Sequence, residues 1–188
     1  MRTNIKEYFS ELERVFHDID VSQIELLANL FFASLSNDST VFVFGNGGSA
    51  ATASHLACDI NKGVSFGNDK RFKVICLNDN IPTMMAYAND VSYESIFVEQ
   101  LKNFLRKNDL VVGFSGSGNS KNVLNAIEYA NQSGAITFGM TGFDGGKLKQ
   151  IARHSLVVEI DDMQKVEDTH LIITHILMRI LCNKIRQG

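Results

Sequence analysis

Paired cysteines are missing from this chain of 188 residues, which contains only Cys58, Cys76 and Cys182. An odd number without Cys-x-x-Cys spacing argues against a disulfide framework, and roles as small buried hydrophobic residues suit all three. We therefore expect a reducing compartment, the cytoplasm. An apolar stretch long enough to span a bilayer is also missing, as is the apolar core of a signal peptide. No membrane partner is expected.

A large excess of charge of either sign is absent as well. The formal net charge is −3 and the pI is about 5.9, which favours a soluble protein without a nucleic-acid partner. No linker or low-complexity segment interrupts the chain, and 45% of its residues are hydrophobic, enough for a sizeable core. We expect one domain over residues 1–188, with an N-terminal helical segment of about 1–37 at an oligomer interface.

Short apolar runs alternate with segments of helical spacing along the whole chain, and the only proline, Pro82, suits a helix start. This alternation predicts right-handed βαβ units. The fold class is therefore α/β: a five-stranded parallel sheet with helices on both faces, a flavodoxin-like three-layer sandwich. The predicted strands are 40–44, 72–77, 110–114, 136–140 and 155–160. The predicted helices are 4–36 with a break at 20–22, 49–62 ending at Gly63, 83–87, 93–105, 120–132, 147–152 and 166–185.

The last predicted helix is apolar almost all round. Such a helix must be buried on several sides, and a domain of this size has too few elements to cover it. We therefore expect a homo-oligomer whose interface is made of helices. The apolar positions of this helix are Leu171, Ile172, Ile173, Ile176, Leu177, Ile180 and Leu181.

Two turns rich in glycine and serine follow predicted strands, GNGGSA at 45–50 and SGSGNS at 115–120. Ligands of open parallel sheets bind beyond the carboxyl ends of the strands, where backbone N–H groups and hydroxyls suit an anion. Neither turn has the spacing of a P-loop or of a dinucleotide fingerprint, so a nucleotide cofactor is not expected. Each turn alone also fits an ordinary loop with a helix cap. The two together favour a phosphate ligand.

Metal-capable side chains occur on two predicted helices. His55 and Asp59 are four residues apart and share one helix face, as an exposed ion pair also would. On the last helix, Glu167 lies within one broad face with both His170 and His175, and spacing alone does not choose between the two histidines. Such polar residues can also bond one another across an interface. Four of them in an otherwise apolar layout favour a functional site.

The segments GNGGSAATASHLACD, SGSGNSKNVLNAI and EDTHLIITHIL, with Ala88-Asn89-Asp90 and MTGFDGGKL, carry a family resemblance. The chain resembles the SIS (sugar isomerase) domain family and, within it, the phosphoheptose isomerases. The resemblance spans essentially the whole chain. It implies the interconversion of sedoheptulose 7-phosphate and D-glycero-D-manno-heptose 7-phosphate, a small phosphorylated sugar as partner, and a homotetramer with sites at subunit boundaries.

The resemblance also implies a set of site residues. The metal set comprises His55, Asp59, Glu167 and His175. It implies a zinc ion, although another divalent metal also suits these ligands. Asp59 stands where the family usually has Glu, and Glu167 where it usually has Gln. The substrate and phosphate contacts implied are Asn46, Gly47, Gly48, Ser49, Asn89, Asp90, Ser115, Gly116, Ser117, Ser120 and Glu167.

Aldose–ketose isomerisation moves a proton between adjacent carbons through an enediol, and we expect Asp59 and His175 to share the proton transfers. Two other classes compete with this reading. One is a non-catalytic SIS-domain protein that binds phosphosugars or associates with a replication initiator. The other is an isomerase of another phosphosugar. A sugar-phosphate-sensing regulator has less support, because no DNA-binding module is attached.

Overall fold

Residues 2–187 are described by a computed structural model, so Met1 and Gly188 of the expected domain lie outside the described residues. Five parallel strands form one sheet in the order β2-β1-β3-β4-β5, which confirms the predicted flavodoxin-like arrangement. The strands are β1 (Thr40–Gly45), β2 (Lys73–Cys76), β3 (Leu110–Ser115), β4 (Ile136–Gly142) and β5 (His154–Val158).

Helices cover both faces of this sheet. Successive side chains of β1 point to opposite faces of the sheet. Val41 and Val43 pack against one helix layer, and Phe42 and Phe44 pack against the other. The first layer contains α1 (Arg2–Asp18), α2 (Val21–Ser36), α3 (Gly48–Cys58) and α8 (Met163–Gln187). The second contains α4 (Ile81–Asp90), α5 (Val98–Phe104), α6 (Lys121–Gln132) and α7 (Gly146–Ile151).

The carboxyl ends of β1 and β3 lie side by side, with Gly45 paired to Phe114. β1 also pairs with β2 on its other side, so the winding of the chain reverses between β1 and β3. Ligand crevices of open α/β sheets form at such switch points. The two glycine-serine turns leave the sheet at this point.

Two predicted helices differ from the structure. Residues 93–105 are not one helix, because a 3-10 turn (Tyr93–Ser95) precedes α5. Gly63 does not end the helix after β1, because α3 passes at Asp59 into a π-helical segment, Asp59–Val64, that contains this glycine. The Asn61 side chain holds this wide turn to β2, donating to the Val74 carbonyl at 2.8 Å and accepting from its N–H at 3.2 Å.

The long last helix, α8, buries one apolar face and leaves another open in the single chain. Ile173, Leu177 and Leu181 are buried in the core. Leu171, Ile172 and Ile176 remain 37–41% exposed. Within residues 2–187, no helix combines the length and the apolar character that crossing a bilayer requires.

Candidate active site

The first glycine-serine turn joins β1 to α3, and its backbone passes close to the end of β3. A Cβ at Gly45 would lie only 2.9 Å from the Phe114 carbonyl oxygen, so glycine permits the two strand ends to approach. Gly47 takes a positive φ of 55° and precedes the first residue of α3, Gly48. No side chain caps this helix, and Ser49 is buried in its first turn. The start of α3 therefore keeps free N–H groups that suit an anion.

The serine turn after β3 brings its hydroxyls together. Ser115 Oγ donates to Ser120 Oγ at 3.1 Å, and Ser117 Oγ accepts from the Asn119 N–H at 3.3 Å. Gly118 has a φ of 66°, and a side chain there would overlap the Gly145 carbonyl. Ser120 precedes α6 without capping it through its side chain. The hydroxyls of this turn are thus not used as ordinary helix caps, which favours the ligand interpretation.

Gly116 ties the serine turn to the end of β4, because its carbonyl accepts from the Gly142 N–H at 2.8 Å. Asn89 and Asp90 lie at the carboxyl end of α4, where the Asn89 side chain donates to Asp90 Oδ1 at 2.8 Å. Three residues further on, the Tyr93 hydroxyl donates to Asn46 Oδ1 at 2.9 Å. The chain after α4 therefore reaches the first turn.

His55, Asp59 and His175 converge between α3 and α8. Their ligand atoms are 2.9 Å apart for the two Nε2 atoms, 3.4 Å for His55 Nε2 to Asp59 Oδ2, and 3.9 Å for His175 Nε2 to Asp59 Oδ2. Three ligands of one tetrahedral ion at about 2.0–2.2 Å lie roughly 3.3 Å from one another, so the group has suitable dimensions. Asp59 Oδ2 is buried and has no hydrogen-bond partner among residues 2–187. These residues fit a divalent metal.

Glu167 does not join these three ligands. In the part of the chain that the structure describes, the metal-capable group contains His55, Asp59 and His175 alone. The Glu167 carboxylate lies instead against Gly48, where an added Cβ would overlap it. This position places it at the first turn, where it suits a substrate contact.

The other histidine of α8 faces the sheet. His170 is fully buried, its Nε2 lies 3.1 Å from the Thr141 carbonyl oxygen, and its ring packs edge-on against Phe114. Burial lowers the pKa of His170 to about 4, against the opposing effect of the Thr141 carbonyl. The geometry thus brings His175, and not His170, to the metal-capable group.

Sequence reasoning missed Asn122, which is buried in the first turn of α6 and bonds the side chain of Asn46. Its signal was a carboxamide among the apolar positions of the core-facing side of α6, which include Val123, Ala126 and Ile127. A buried polar side chain requires partners, so this position pointed to a network.

A separate concavity of about 680 Å³ lies between α1 and the β5–α8 connection. None of the candidate site residues lines it. Its buried cation, Lys165, is paired with Glu11 at 2.8 Å and with Asp162. This concavity is therefore separate from the candidate active site, which comprises the two glycine-serine turns and the histidine group.

Comparison with known proteins gives a consistent picture. A family model described as SIS domain matches residues 7–142. Phosphoheptose isomerases of Aliarcobacter butzleri and Helicobacter pylori are 32% identical over 184 residues and 34% identical over 174 residues. These alignments cover 96% of both proteins in the first case, and 92% of this chain and 90% of the relative in the second.

A solved structure of a phosphoheptose isomerase from Neisseria gonorrhoeae superimposes with a TM-score of 0.88 at 26% identity. The superposition covers 96% of this chain and 97% of that one. Sequence and fold therefore agree over nearly the whole length. The chain belongs to the SIS domain family and, within it, to the phosphoheptose isomerases.

Proposed function

We propose that this protein is a cytoplasmic isomerase that converts sedoheptulose 7-phosphate to D-glycero-D-manno-heptose 7-phosphate. The observation that carries the proposal is the convergence of His55, Asp59 and His175 in a chain that belongs to the phosphoheptose isomerases. The reaction is an aldose–ketose isomerisation, and it needs a phosphate anchor, a base at carbon and a proton donor at oxygen.

The phosphate anchor is assigned to the serine turn and the start of α3. Ser115, Ser117 and Ser120 supply neutral hydroxyl donors, and Ser49 lies in the first turn of α3, where free N–H groups attract an anion. Binding the phosphate far from the reacting carbons orients the sugar without changing its reactivity. Gly47, Gly48 and Gly116 allow the backbone to approach the ligand.

The proton transfers are assigned to Asp59 and His175. Asp59 Oδ2 and His175 Nε2 are 3.9 Å apart, so both reach one carbon–oxygen unit of a substrate. One of the pair removes the proton next to the carbonyl, and the other exchanges a proton with the oxygen. When bound, a divalent ion, zinc in our proposal, would be held by His55 Nε2, Asp59 Oδ2 and His175 Nε2, and its chemistry there would be to polarise the carbonyl. With those atoms engaged, Asp59 would act through its second oxygen, Oδ1, and His175 through its second ring nitrogen, Nδ1.

Glu167, Asn46, Asn89 and Asp90 are assigned to the sugar chain. Glu167 lies against Gly48, and Asn46 lies within the first turn, beside the residues assigned to the phosphate anchor. Asn89 and Asp90 end α4, whose residues are all at least partly exposed in the single chain. We expect the carboxyl end of that helix to face the ligand site, since Tyr93 just beyond it contacts Asn46.

The test is an NMR time course of the purified protein with sedoheptulose 7-phosphate. Appearance of an aldoheptose phosphate supports the proposal, and its loss after chelation supports the metal. Asp59→Asn should reduce turnover by at least about a hundredfold and leave inorganic phosphate affinity unchanged, because the variant loses the base and a metal ligand while the phosphate anchor stays intact. Asp69→Asn, an exposed carboxylate outside the site, is the matched control. Phosphate binding without turnover in the wild type would favour the non-catalytic binding protein instead.

Metal binding has its own measurement. Isothermal titration of the chelated protein with Zn²⁺ should give one site per chain, and His55→Ala should weaken it at least about tenfold. Unchanged affinity in that variant would remove His55 from the ligand set.

We further propose that the protein is a homotetramer. The supporting observation is the exposed apolar face of α8, together with Ile5 and Phe9 of α1, which are more than half exposed in the single chain. Ile172→Asp should lower the mass measured by light scattering, while Asn125→Asp adds the same charge in the other helix layer and should not. A monomeric wild type would contradict the proposal.

A further inference from the structure

Two asparagine side chains that hydrogen-bond each other reciprocally connect the two glycine-serine turns. Asn46 Nδ2 donates to Asn122 Oδ1 at 2.9 Å, and Asn122 Nδ2 donates to Asn46 Oδ1 at 2.8 Å. Asn46 lies in the turn after β1, and Asn122 lies in the first turn of α6, directly after the serine turn. Asn122 is buried, at 2% exposure, and Asn46 is half-buried, so this pair is partly shielded from water.

The backbone of α6 fixes which way the pair is oriented. Asn122 Oδ1 also accepts from the Val123 N–H at 2.9 Å. A backbone N–H can only donate, so the atom that faces it must be the oxygen of Asn122. The amide nitrogen of Asn122 then faces Asn46, and Asn46 must present its own oxygen in return.

This orientation uses up the acceptor capacity of Asn46. A carboxamide oxygen has two lone pairs. Asn46 Oδ1 accepts one hydrogen bond from Asn122 Nδ2 and a second from the Tyr93 hydroxyl at 2.9 Å. The amide nitrogen of Asn46 donates one of its two N–H groups to Asn122 Oδ1. Its second N–H has no partner among residues 2–187.

We propose that Asn122 is a positioning residue that, together with Tyr93, holds Asn46 as a donor, with no free acceptor, toward an oxygen of the bound sugar phosphate. The inference rests on the proposed function for the identity of the ligand. A donor at this place suits a carbonyl, hydroxyl or enediolate oxygen, all of which accept, and a fixed donor loses no entropy when the ligand arrives.

A double-mutant cycle tests whether Asn122 acts through Asn46. Asn122→Ala should lower kcat/KM about ten- to a hundredfold in the wild-type background and no more than about twofold in the Asn46→Ala background. Asn125→Ala is the matched control, because Asn125 is an exposed asparagine of the same helix. Equal losses in both backgrounds, or no loss on Asn122→Ala, would overturn the inference.

A second variant tests the same proposal if Asn122→Ala fails to fold. Tyr93→Phe keeps a half-exposed ring and removes only the hydroxyl, which frees one lone pair on Asn46 Oδ1. We expect a loss of kcat/KM of about two- to fivefold that likewise disappears in the Asn46→Ala background. A loss that persists there would show that the hydroxyl does not act through Asn46.

Crystal structures of the ligand-free wild type and Asn122→Ala give a readout that needs no turnover. The Asn46 carboxamide should occupy one position in the wild type and should shift or split between rotamers in the variant. An unmoved Asn46 would overturn the inference even in an active enzyme. If the wild type is inactive but the Asn46 carboxamide shifts in Asn122→Ala as expected, the proposed function would be contradicted and the positioning role supported.

Discussion

Acidification of the protein should destabilise it through His170, which the active site does not use. The ring is fully buried, its Nδ1 has no hydrogen-bond partner among residues 2–187, and its pKa is lowered by burial to about 4 from 6.5. In the unfolded chain the same imidazole titrates near its ordinary value. Between these two pKa values the unfolded state binds more protons than the native state, so the free energy of unfolding falls as the pH falls from 6.5 to 4.

The pKa difference sets the size of the effect. At about 1.4 kcal/mol per pKa unit, the loss approaches roughly 3 kcal/mol below pH 4, and roughly 2 kcal/mol of it is present by pH 5. Above about pH 7.5 the contribution is constant. A typical domain is stable by about 5–15 kcal/mol, so the loss is readily measurable.

The assay is urea unfolding at fixed protein concentration between pH 7.5 and 4.5, with chelator present so that metal release does not contribute. His170→Gln, which cannot titrate, is the comparison protein. The free energy of unfolding of His170→Gln should be lower than that of the wild type at pH 7.5. It should fall less steeply between pH 6.5 and 4.5. Parallel decline of the two proteins would refute the argument, because the slope would then come from other groups.

Two further predictions concern the serine turn. Gly118→Ala should lower the midpoint of thermal unfolding more than Gly67→Ala does, because both glycines have positive φ but only Gly118 would place its Cβ against a carbonyl oxygen. Equal losses, measured by calorimetry, would show that the contact with Gly145 is easily relieved. Ser120→Ala should raise KM about ten- to a hundredfold with little change in kcat, because a hydrogen bond to the phosphate acts equally in ground state and transition state. A loss confined to kcat in steady-state kinetics would place Ser120 at the reacting carbons instead.

Local sequence was sufficient wherever neighbouring residues decide the structure. The strand at 40–44 follows from an apolar run that ends at a glycine, and the serine turn follows from its glycines and hydroxyls. The alternation of strands and helices then predicts a parallel sheet covered on both faces, since right-handed crossovers leave few topologies. These features predict that the two glycine-serine turns leave the sheet at the carboxyl ends of β1 and β3, as they do in the structure.

Contacts between distant residues decided what sequence could not predict. Both His170 and His175 were compatible with the spacing from Glu167, and the rotation of α8 about its axis against the sheet chose between them. The π-helical turn depends on Asn61 reaching Val74 across the loop to β2. Neither the orientation of a helix nor a partner in another strand is encoded in local spacing.

The π-helical segment Asp59–Val64 also bears on how this chain tolerates insertions and deletions. A π turn spans one residue more than an α turn, so it absorbs a change of length without breaking the helix. Because Asp59 is the first residue of the segment, a one-residue deletion after it would leave the spacing of His55 and Asp59 unchanged and would displace the residues that lead into the loop before β2. In this chain such a deletion should therefore disturb the Asn61 contacts with Val74 rather than the metal-capable group.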